Sequence, residues 1–173
     1  CQSLATVKND FTLNELPYSI SLSLSGAELK NQHIVPSLIE MINSQPGMTL
    51  LRSDLYTVLS EMFNNALEHG ILKLDSALKA SPDGFLEYYQ AREIRLKQLQ
   101  EGSVSFLIQF LPKDAALDIT ISDSGEGFDY TAPANTGEDN SFGRGLTLLN
   151  ELCEQVTYSG NGNTLKVRLS VDR

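Results

Sequence analysis

The stretch from Leu51 to Leu72 carries apolar residues at steps of three and four, which is the spacing of one face of an α-helix. We predict one long amphipathic helix here, and its apolar face has to pack against another layer of the fold. Shorter helices are predicted at Val35 to Asn43 and at Gly145 to Glu154. The residues on the apolar face of the long helix are Leu55, Leu59, Met62, Phe63, Ala66 and Leu67.

Strand patterns lie on both sides of this helix. From Tyr18 to Ser25, polar and apolar side chains alternate without a break, as they do in a half-buried strand. Two paired strands are predicted around the turn Pro112 to Asp114, and a final hairpin around Gly160 to Asn163. The predicted strands are Tyr18 to Ser25, Ser103 to Leu111, Ala116 to Ser122, Gln155 to Ser159 and Thr164 to Val171.

The stretch from Lys73 to Glu101 has a different character. A helix is predicted from Phe85 to Gln100, and Gly102 provides a natural end for it. The stretch holds five basic and five acidic residues, which favours a packing element with a solvated face. A surface for a partner protein is the alternative. The apolar residues near one face of this helix are Phe85, Tyr89, Leu96 and Leu99.

The length of 173 residues fits one domain with a core of its own. No apolar stretch approaches the roughly 20 residues that cross a bilayer, and no secretory leader is visible, so we expect no contact with a membrane. Cys1 and Cys153 have no metal-ligand spacing and are not expected to form a disulfide, which fits a reducing cytoplasm. The start at Cys1 suggests a piece of a longer chain.

The chain is acidic, with a net charge of −9 and a pI near 4.6. This argues against binding to nucleic acid, because such binding neutralises phosphates with Lys and Arg. From Asp118 to Asn140 there are six acidic residues and no Lys or Arg. A polyphosphate bound there would need a divalent cation and backbone N–H groups to offset the repulsion. A nucleotide site in this region therefore implies Mg²⁺.

Glu61 and Asn65 are four residues apart in the run S-E-M-F-N-N-A-L-E-H-G, so a helix places both on one face, away from the apolar one. There the carboxylate could orient an attacking hydroxyl or water, and the amide oxygen could ligate Mg²⁺. An isolated pair with this spacing is more often an ordinary polar pair on a helix surface. His69, one turn further on, is expected to support or cap the site rather than to catalyse.

Two glycine-containing segments follow. The strand that ends at Asp123 leads into Gly125 and Gly127, and glycine permits positive φ and the close approach of a flat ligand. An acid at that point can accept a hydrogen bond from an exocyclic amine such as adenine N6. The run G-R-G at residues 143–145 precedes a predicted helix, an arrangement that can bind an anion. A plain acidic turn and a simple loop-to-helix joint are the alternatives.

In this order, S-E-M-F-N-N-A-L-E-H-G, I-S-D-S-G-E-G-F-D and F-G-R-G-L-T-L-L resemble the N, G1 and G2 boxes of the GHKL ATPase superfamily, in particular its anti-sigma-factor serine kinase branch. The resemblance implies an α+β, two-layer Bergerat fold, with a mixed, mostly antiparallel sheet, helices on one face and a flexible lid over ATP. Residues 17–173 would form one ATP-binding domain with a helical insertion at about 73–102, after an N-terminal extension at 1–16.

The resemblance also implies roles for single residues. Glu61 would be the general base, Asn65 the Mg²⁺ ligand and Asp123 the residue that binds adenine. The other implied ATP-binding residues fall into three groups. Two glycines lie beside the adenine-binding acid, the glycines of the second box contact the phosphates, and a threonine on a late strand lies near the adenine. They are Gly125, Gly127, Gly143, Arg144, Gly145, Leu146 and Thr164.

The reaction implied by the resemblance transfers the γ-phosphoryl group of ATP to a serine or threonine of an anti-sigma-factor antagonist of the STAS fold. Such a kinase can also bind and hold a sigma factor. Similar domains lie at the C-terminus of bacterial response regulators that carry receiver and serine phosphatase domains, and the likeness suggests a homodimer.

One departure bears on the activity. The predicted loop from Phe128 to Phe142 contains no Lys or Arg to meet the γ-phosphate, so Arg144 or a partner has to supply the cation, or transfer is slow. The alternative is an ATP-binding regulatory module that binds a STAS protein or a sigma factor without much transfer. The catalytic half of a histidine kinase is disfavoured, because neither His33 nor His69 lies in a dimerisation helix pair. An ATPase of the gyrase or mismatch-repair kind would need a transducer domain.

Overall fold

The computed structural model describes residues 16–45, 52–128, 130 and 141–171, with side chains for all of these except residues 52, 80 and 141–144. Two expectations fall outside this part of the chain. They are the N-terminal extension, of which only residue 16 is described, and the central part of the loop between Phe128 and Phe142.

Five strands form one sheet in the order β1-β2-β3-β5-β4. We expected a mixed, mostly antiparallel sheet, and each of its four described pairings is antiparallel. All five predicted strands are present, and no boundary differs from its prediction by more than one residue. The strands are β1 (Tyr18–Ser25), β2 (Ser103–Leu111), β3 (Ala116–Asp123), β4 (Gln155–Ser159) and β5 (Thr164–Ser170).

The described part of the chain contains four α-helices, α1 (Ile34–Asn43), α2 (Arg52–Asn64), α3 (Pro82–Gln98) and α4 (Ser141–Leu152). The prediction for α4 was four residues late, because two glycines among its first five residues weaken the helical signal. Buried Leu149 ties this helix to the core. None of the helices in the described ranges combines the length and the apolar character needed to cross a bilayer.

The alternating pattern of the strands produces two layers. On β1 the serines Ser19, Ser21 and Ser23 are exposed, while the apolar residues between them face the core. The apolar face of α2 is buried as predicted, and the rings of Phe63 and Phe106 meet at 5.9 Å. This confirms the α+β class. The inward residues of the three central strands are Val104, Phe106, Ile108, Phe110, Leu117, Ile119, Ile121, Leu165, Val167 and Leu169.

The long predicted helix changes its winding after Asn64. Residues Asn65–Ile71 form a π-helical segment, in which the Leu72 N–H donates to the carbonyl of Leu67, five residues back, at 2.8 Å. The spacing of apolar residues could not predict this change of winding. Polar contacts to Glu68 in this segment come from Lys79, Tyr88 and Arg92, which lie 11 to 24 residues further along the sequence. Short π-helical segments occur frequently at functional sites.

Helix α3 begins at Pro82, three residues before its predicted start, and the Ser81 hydroxyl caps it by accepting the Gly84 N–H at 3.1 Å. The predicted apolar face is partly wrong. Phe85 and Tyr89 are 50% and 47% exposed, and the fully buried residue of this helix is a different aromatic, Tyr88. Polar contacts of Tyr88 set the rotation of the helix, whereas Leu96 and Leu99 are half-buried in agreement with the prediction.

The outer face of the sheet carries one buried acid, Asp118 on β3. Its oxygens accept from the Nε and Nη2 atoms of Arg168 at 2.6 and 2.9 Å, and the Lys166 ammonium lies 2.9 Å away. The Arg168 hydrogen bond, followed by those of Lys166, lowers the pKa of Asp118 although burial opposes this. The three side chains therefore tie β3 to β5.

We expect Asp118→Asn to lower the free energy of unfolding at pH 7 by about 1–3 kcal/mol, because two cations lose a charged partner. Since the folded-state pKa of Asp118 is lowered, its contribution is full above the usual value of 3.8 and is lost as the pH falls below it. Urea unfolding at pH 7 and pH 3 measures both effects. The nearby exposed Asp114→Asn should change stability by less than about 0.5 kcal/mol; equal effects of the two substitutions would contradict the assignment.

Candidate functional site

A cavity of about 210 Å³ opens between the π-helical segment, the end of β3 and the β4–β5 hairpin. Its walls are mostly apolar, with a few polar groups among them. The residues that line it are Met62, Asn65, Ala66, His69, Gly70, Leu74, Asp75, Ser76, Ile121, Asp123, Gly127, Phe128, Tyr158, Gly162, Asn163 and Leu165.

Asp123 is the last residue of β3, and its carboxylate lies against Gly70 of the π-helical segment. Its N–H donates to the Asn163 carbonyl at 2.9 Å, and the Asn163 side-chain amide donates to the Asp123 carbonyl at 3.0 Å. The Gly125 N–H donates to the Asp123 Oδ1 atom at 2.8 Å. Burial nevertheless raises the pKa of Asp123 above its ordinary value. A carboxylate in this state gains from a ligand that donates a hydrogen bond to it.

Three glycines allow the backbone to close around this acid. A Cβ atom at Gly70 would overlap the Asp123 carboxylate, and one at Gly125 would overlap the Gly70 carbonyl oxygen. Gly127 has a φ of 76°, and a Cβ there would overlap the carbonyl of Asn161 in the hairpin turn. Larger residues at these positions would push the helix, the strand end and the turn apart.

Asn65 lines the cavity, whereas Glu61, one turn earlier on α2, contacts the first turns of α4. A Cβ atom at Gly145 would lie 2.5 Å from the Glu61 Oε2 atom, so a side chain there would have to displace the end of the Glu61 side chain. The predicted pair therefore extends along α2 from the cavity to the beginning of α4. Of the second glycine box, Gly145 lies beside the Glu61 carboxylate.

Among the predicted site residues, Asn65, Asp123 and Gly127 meet in the wall of the cavity. Thr164 does not line it, because its hydroxyl lies 3.0 Å from the Ser122 hydroxyl across the β3–β5 pairing. The neighbours of Thr164 on either side, Asn163 and Leu165, face the cavity instead.

The second glycine box is described only in part. Gly145 and Leu146 are both half-buried in α4 and do not line the cavity. The surroundings of Gly143 and the side chain of Arg144, with its predicted phosphate contact, lie outside the described part of the chain.

The sequence reasoning missed an aromatic wall. The rings of Phe128 and Tyr158 meet edge to face at 5.1 Å, and the Tyr130 ring stacks on Tyr158 at 6.0 Å. Burial raises the pKa of Tyr158, so its phenol stays neutral at pH 7. An aromatic residue directly after Gly127 and a tyrosine at an inward position of β4 were the available signals.

The described residues contain no group of three His, Cys, Asp or Glu side chains that could hold a metal ion by themselves. Asn65 lines the cavity, and its side-chain amide has an oxygen of the kind that Mg²⁺ binds. Mg²⁺ commonly takes one or two protein ligands and completes its shell with phosphate oxygens and waters. The arrangement therefore fits a cation that arrives with a polyphosphate.

These features suit a flat, partly polar ring. Apolar and aromatic walls can bury such a ring, and the Asp123 carboxylate can accept from an amine on its edge. Groups attached to the ring could extend past Asn65 towards Glu61 and Gly145.

Comparison with known proteins agrees with this geometry. A family model described as "Histidine kinase-like ATPase domain" matches residues 40–169, which is more than half of the chain. A search of the curated proteins found no matching relative.

We expect Asp123→Asn to leave the free energy of unfolding of the ligand-free protein at pH 7 unchanged or higher. Because the folded-state pKa is raised, the charged carboxylate costs stability once the pH exceeds its usual 3.8, and the amide removes this cost while still accepting the Gly125 N–H. Urea unfolding beside Asp118→Asn, where the pKa shift has the opposite sign, is the measurement. Equal destabilisation by both substitutions would show that Asp123 supports the fold instead.

Proposed function

Because the chain belongs to the histidine kinase-like ATPase family, we propose that it binds Mg²⁺–ATP in this cavity and transfers the γ-phosphoryl group to a serine or threonine of a partner protein. The observation that carries the proposal is the half-buried Asp123 carboxylate, with its raised pKa, in the wall of an otherwise mostly apolar cavity. Adenine offers the flat ring and the exocyclic amine that such a site can bind.

At the adenine end, Asp123 would accept the hydrogen bond of the N6 amine. Ile121, Leu165 and the aromatic wall would pack against the faces of the adenine ring. The glycines beside the acid contribute by leaving space, because the helix layer and the strand end already touch at Gly70 and Gly125.

At the phosphate end, Asn65 would hold Mg²⁺ through its amide oxygen. The ion would supply the positive charge that an acidic chain of net charge −9 lacks in this region. The first turn of α4, which begins at Ser141, would offer its free backbone N–H groups to the phosphate oxygens, as helix N-termini do.

The proposed transfer forms a bond between the hydroxyl oxygen of the substrate and the γ-phosphorus. The bond from that phosphorus to the β,γ-bridging oxygen breaks, and ADP leaves. Glu61, whose carboxylate lies next to Gly145, would accept the hydroxyl proton. Phosphoryl transfer depends chiefly on positioning and charge stabilisation, so one base and well-placed donors suffice.

The proposed substrate is an anti-sigma-factor antagonist of the STAS fold, and a sigma factor is a further proposed partner. Both proposals rest on the likeness of the three motifs to anti-sigma-factor kinases. The same likeness supports a cytoplasmic bacterial signalling chain with receiver and serine phosphatase domains, and a homodimer.

The second candidate function is an ATP-binding regulatory module that binds such a partner without significant transfer. The absence of Lys and Arg between Phe128 and Phe142 favours it, because no residue of that loop can neutralise the γ-phosphate.

Incubation of the protein with Mg²⁺, radiolabelled ATP and a STAS-fold antagonist separates the two functions. We expect label on the acceptor serine of the antagonist and none on a Ser→Ala version of it. Mass spectrometry identifies the modified residue. Tight ATP binding with no label on any antagonist tested would favour the regulatory module.

We expect Glu61→Gln to slow phosphoryl transfer by roughly 10²–10⁴-fold, because the general base is lost. The Kd for ATP should stay close to that of the wild type, since Glu61 lies outside the cavity wall. Calorimetric titration gives the Kd, and the labelling assay gives the rate. Asp123→Asn is the matched comparison and should abolish ATP binding; a Glu61→Gln protein with the wild-type rate would exclude Glu61 as the base.

A further inference from the structure

Glu68 is a buried acid that the proposed reaction does not use. It lies in the π-helical segment between the cavity residues Asn65 and His69, and it is only 7% exposed. It is absent from the cavity wall, so its carboxylate serves another purpose.

Three donors from the 73–102 insertion meet this carboxylate. The Tyr88 hydroxyl donates to Oε2 at 2.6 Å, the Arg92 Nε donates to Oε1 at 2.7 Å, and the Lys79 ammonium lies 3.3 Å from Oε2. The same ammonium sits 4.0 Å above the centre of the Tyr88 ring. Burial works against the charge of Glu68, but these donors together lower its pKa. The acid is therefore charged, buried and fully partnered.

The insertion also fixes the chain that follows the π-helical segment. The Arg95 Nη1 atom donates to the carbonyls of Leu72 and Lys73, each at 2.7 Å. The Leu74 N–H donates to the Glu68 carbonyl at 2.8 Å. Leu74 and the two residues after it form one side of the cavity, so α3 holds that side in place.

A chain of contacts leads from Glu68 to the acid that would bind adenine. Gly70 lies two residues after Glu68, and its Cα has no room for a side chain beside the Asp123 carboxylate. The Gly70 carbonyl oxygen also lies so close to Gly125 that a Cβ atom there would overlap it. The N–H of Gly125 donates to the Asp123 carboxylate. A shift of the π-helical segment would therefore move Gly70 and disturb both contacts of Asp123.

We infer that Glu68 is a positioning residue for the nucleotide: by joining the insertion to the π-helical segment, it holds Asn65, Gly70 and Asp123 in the arrangement that binds the base. The insertion lies outside the nucleotide-binding motifs, but by this inference it contributes to nucleotide binding by fixing the position of the π-helical segment. The inference rests on the proposed function, because it concerns affinity for ATP.

The test compares two variants of this contact with a matched control. Glu68→Gln removes the charge at constant shape, and Tyr88→Phe removes one donor and leaves the other two. Glu93→Gln makes the same chemical change on α3, the helix that carries Tyr88, in an exposed pair with Lys97. Each protein is titrated with Mg²⁺–ATP by calorimetry at a temperature where unfolding curves show that it is folded.

We expect Glu68→Gln to weaken ATP binding by about tenfold or more, Tyr88→Phe to weaken it less, and Glu93→Gln to leave it unchanged. Without nucleotide, the backbone amide resonance of Gly125 should shift in Glu68→Gln and not in Glu93→Gln. That shift reports movement at Asp123, which a loss of stability alone would not cause.

Wild-type affinity and an unmoved Gly125 resonance in folded Glu68→Gln would overturn the inference and leave the proposed function standing. If Glu68→Gln does not fold, the same readouts on Tyr88→Phe decide. A wild-type protein that binds no ATP would contradict the proposed function itself, and the inference with it.

Discussion

The approach of Gly70 to the Asp123 carboxylate holds the site together, because it is where the helix layer meets the end of the central strand. The sheet supplies the acid, and α2 with its π-helical segment supplies the amide of Asn65. Neither layer contains the cavity alone. The absence of a side chain at Gly70 lets the two layers come close enough to half-bury the Asp123 carboxylate between them. This partial burial raises the pKa of Asp123, so a ligand that donates a hydrogen bond would stabilise the charged carboxylate.

Much of the fold could be predicted because it follows from local burial. Strict alternation located the strands within one residue, and spacing at three and four located the apolar face of α2. The same rules misjudged α3, where Tyr88 is buried and Phe85 exposed. The reason is a contact with Glu68, 20 residues earlier, which no periodicity can record. The candidate site was also predicted only in part. A motif indicated Asp123, but the aromatic wall could not be predicted, because it brings Phe128 and Tyr130 together with Tyr158 on a strand far along the sequence.

Two acids on one strand have opposite effects on the stability of the fold, because their pKa values are shifted in opposite directions. Asp118 and Asp123 both lie on β3, but they face opposite sides of the sheet. Arg168 and Lys166 neutralise the first, so its charge supports the fold. The second faces a mostly apolar cavity with one backbone N–H to satisfy it, so its charge weakens the free fold. Such a cost is typical of groups kept for a ligand.

The place of β1 in the sheet has a consequence for the newly made chain. Register pairs Tyr18 with Phe110, about 90 residues further along, so β1 emerges from the ribosome long before its neighbour. At ordinary rates of synthesis that interval is about 5–20 s. During this time an apolar strand would be open to pairing with other chains. The serines at every second position of β1 leave only one of its faces apolar, and this makes the waiting strand a poorer template for aggregation.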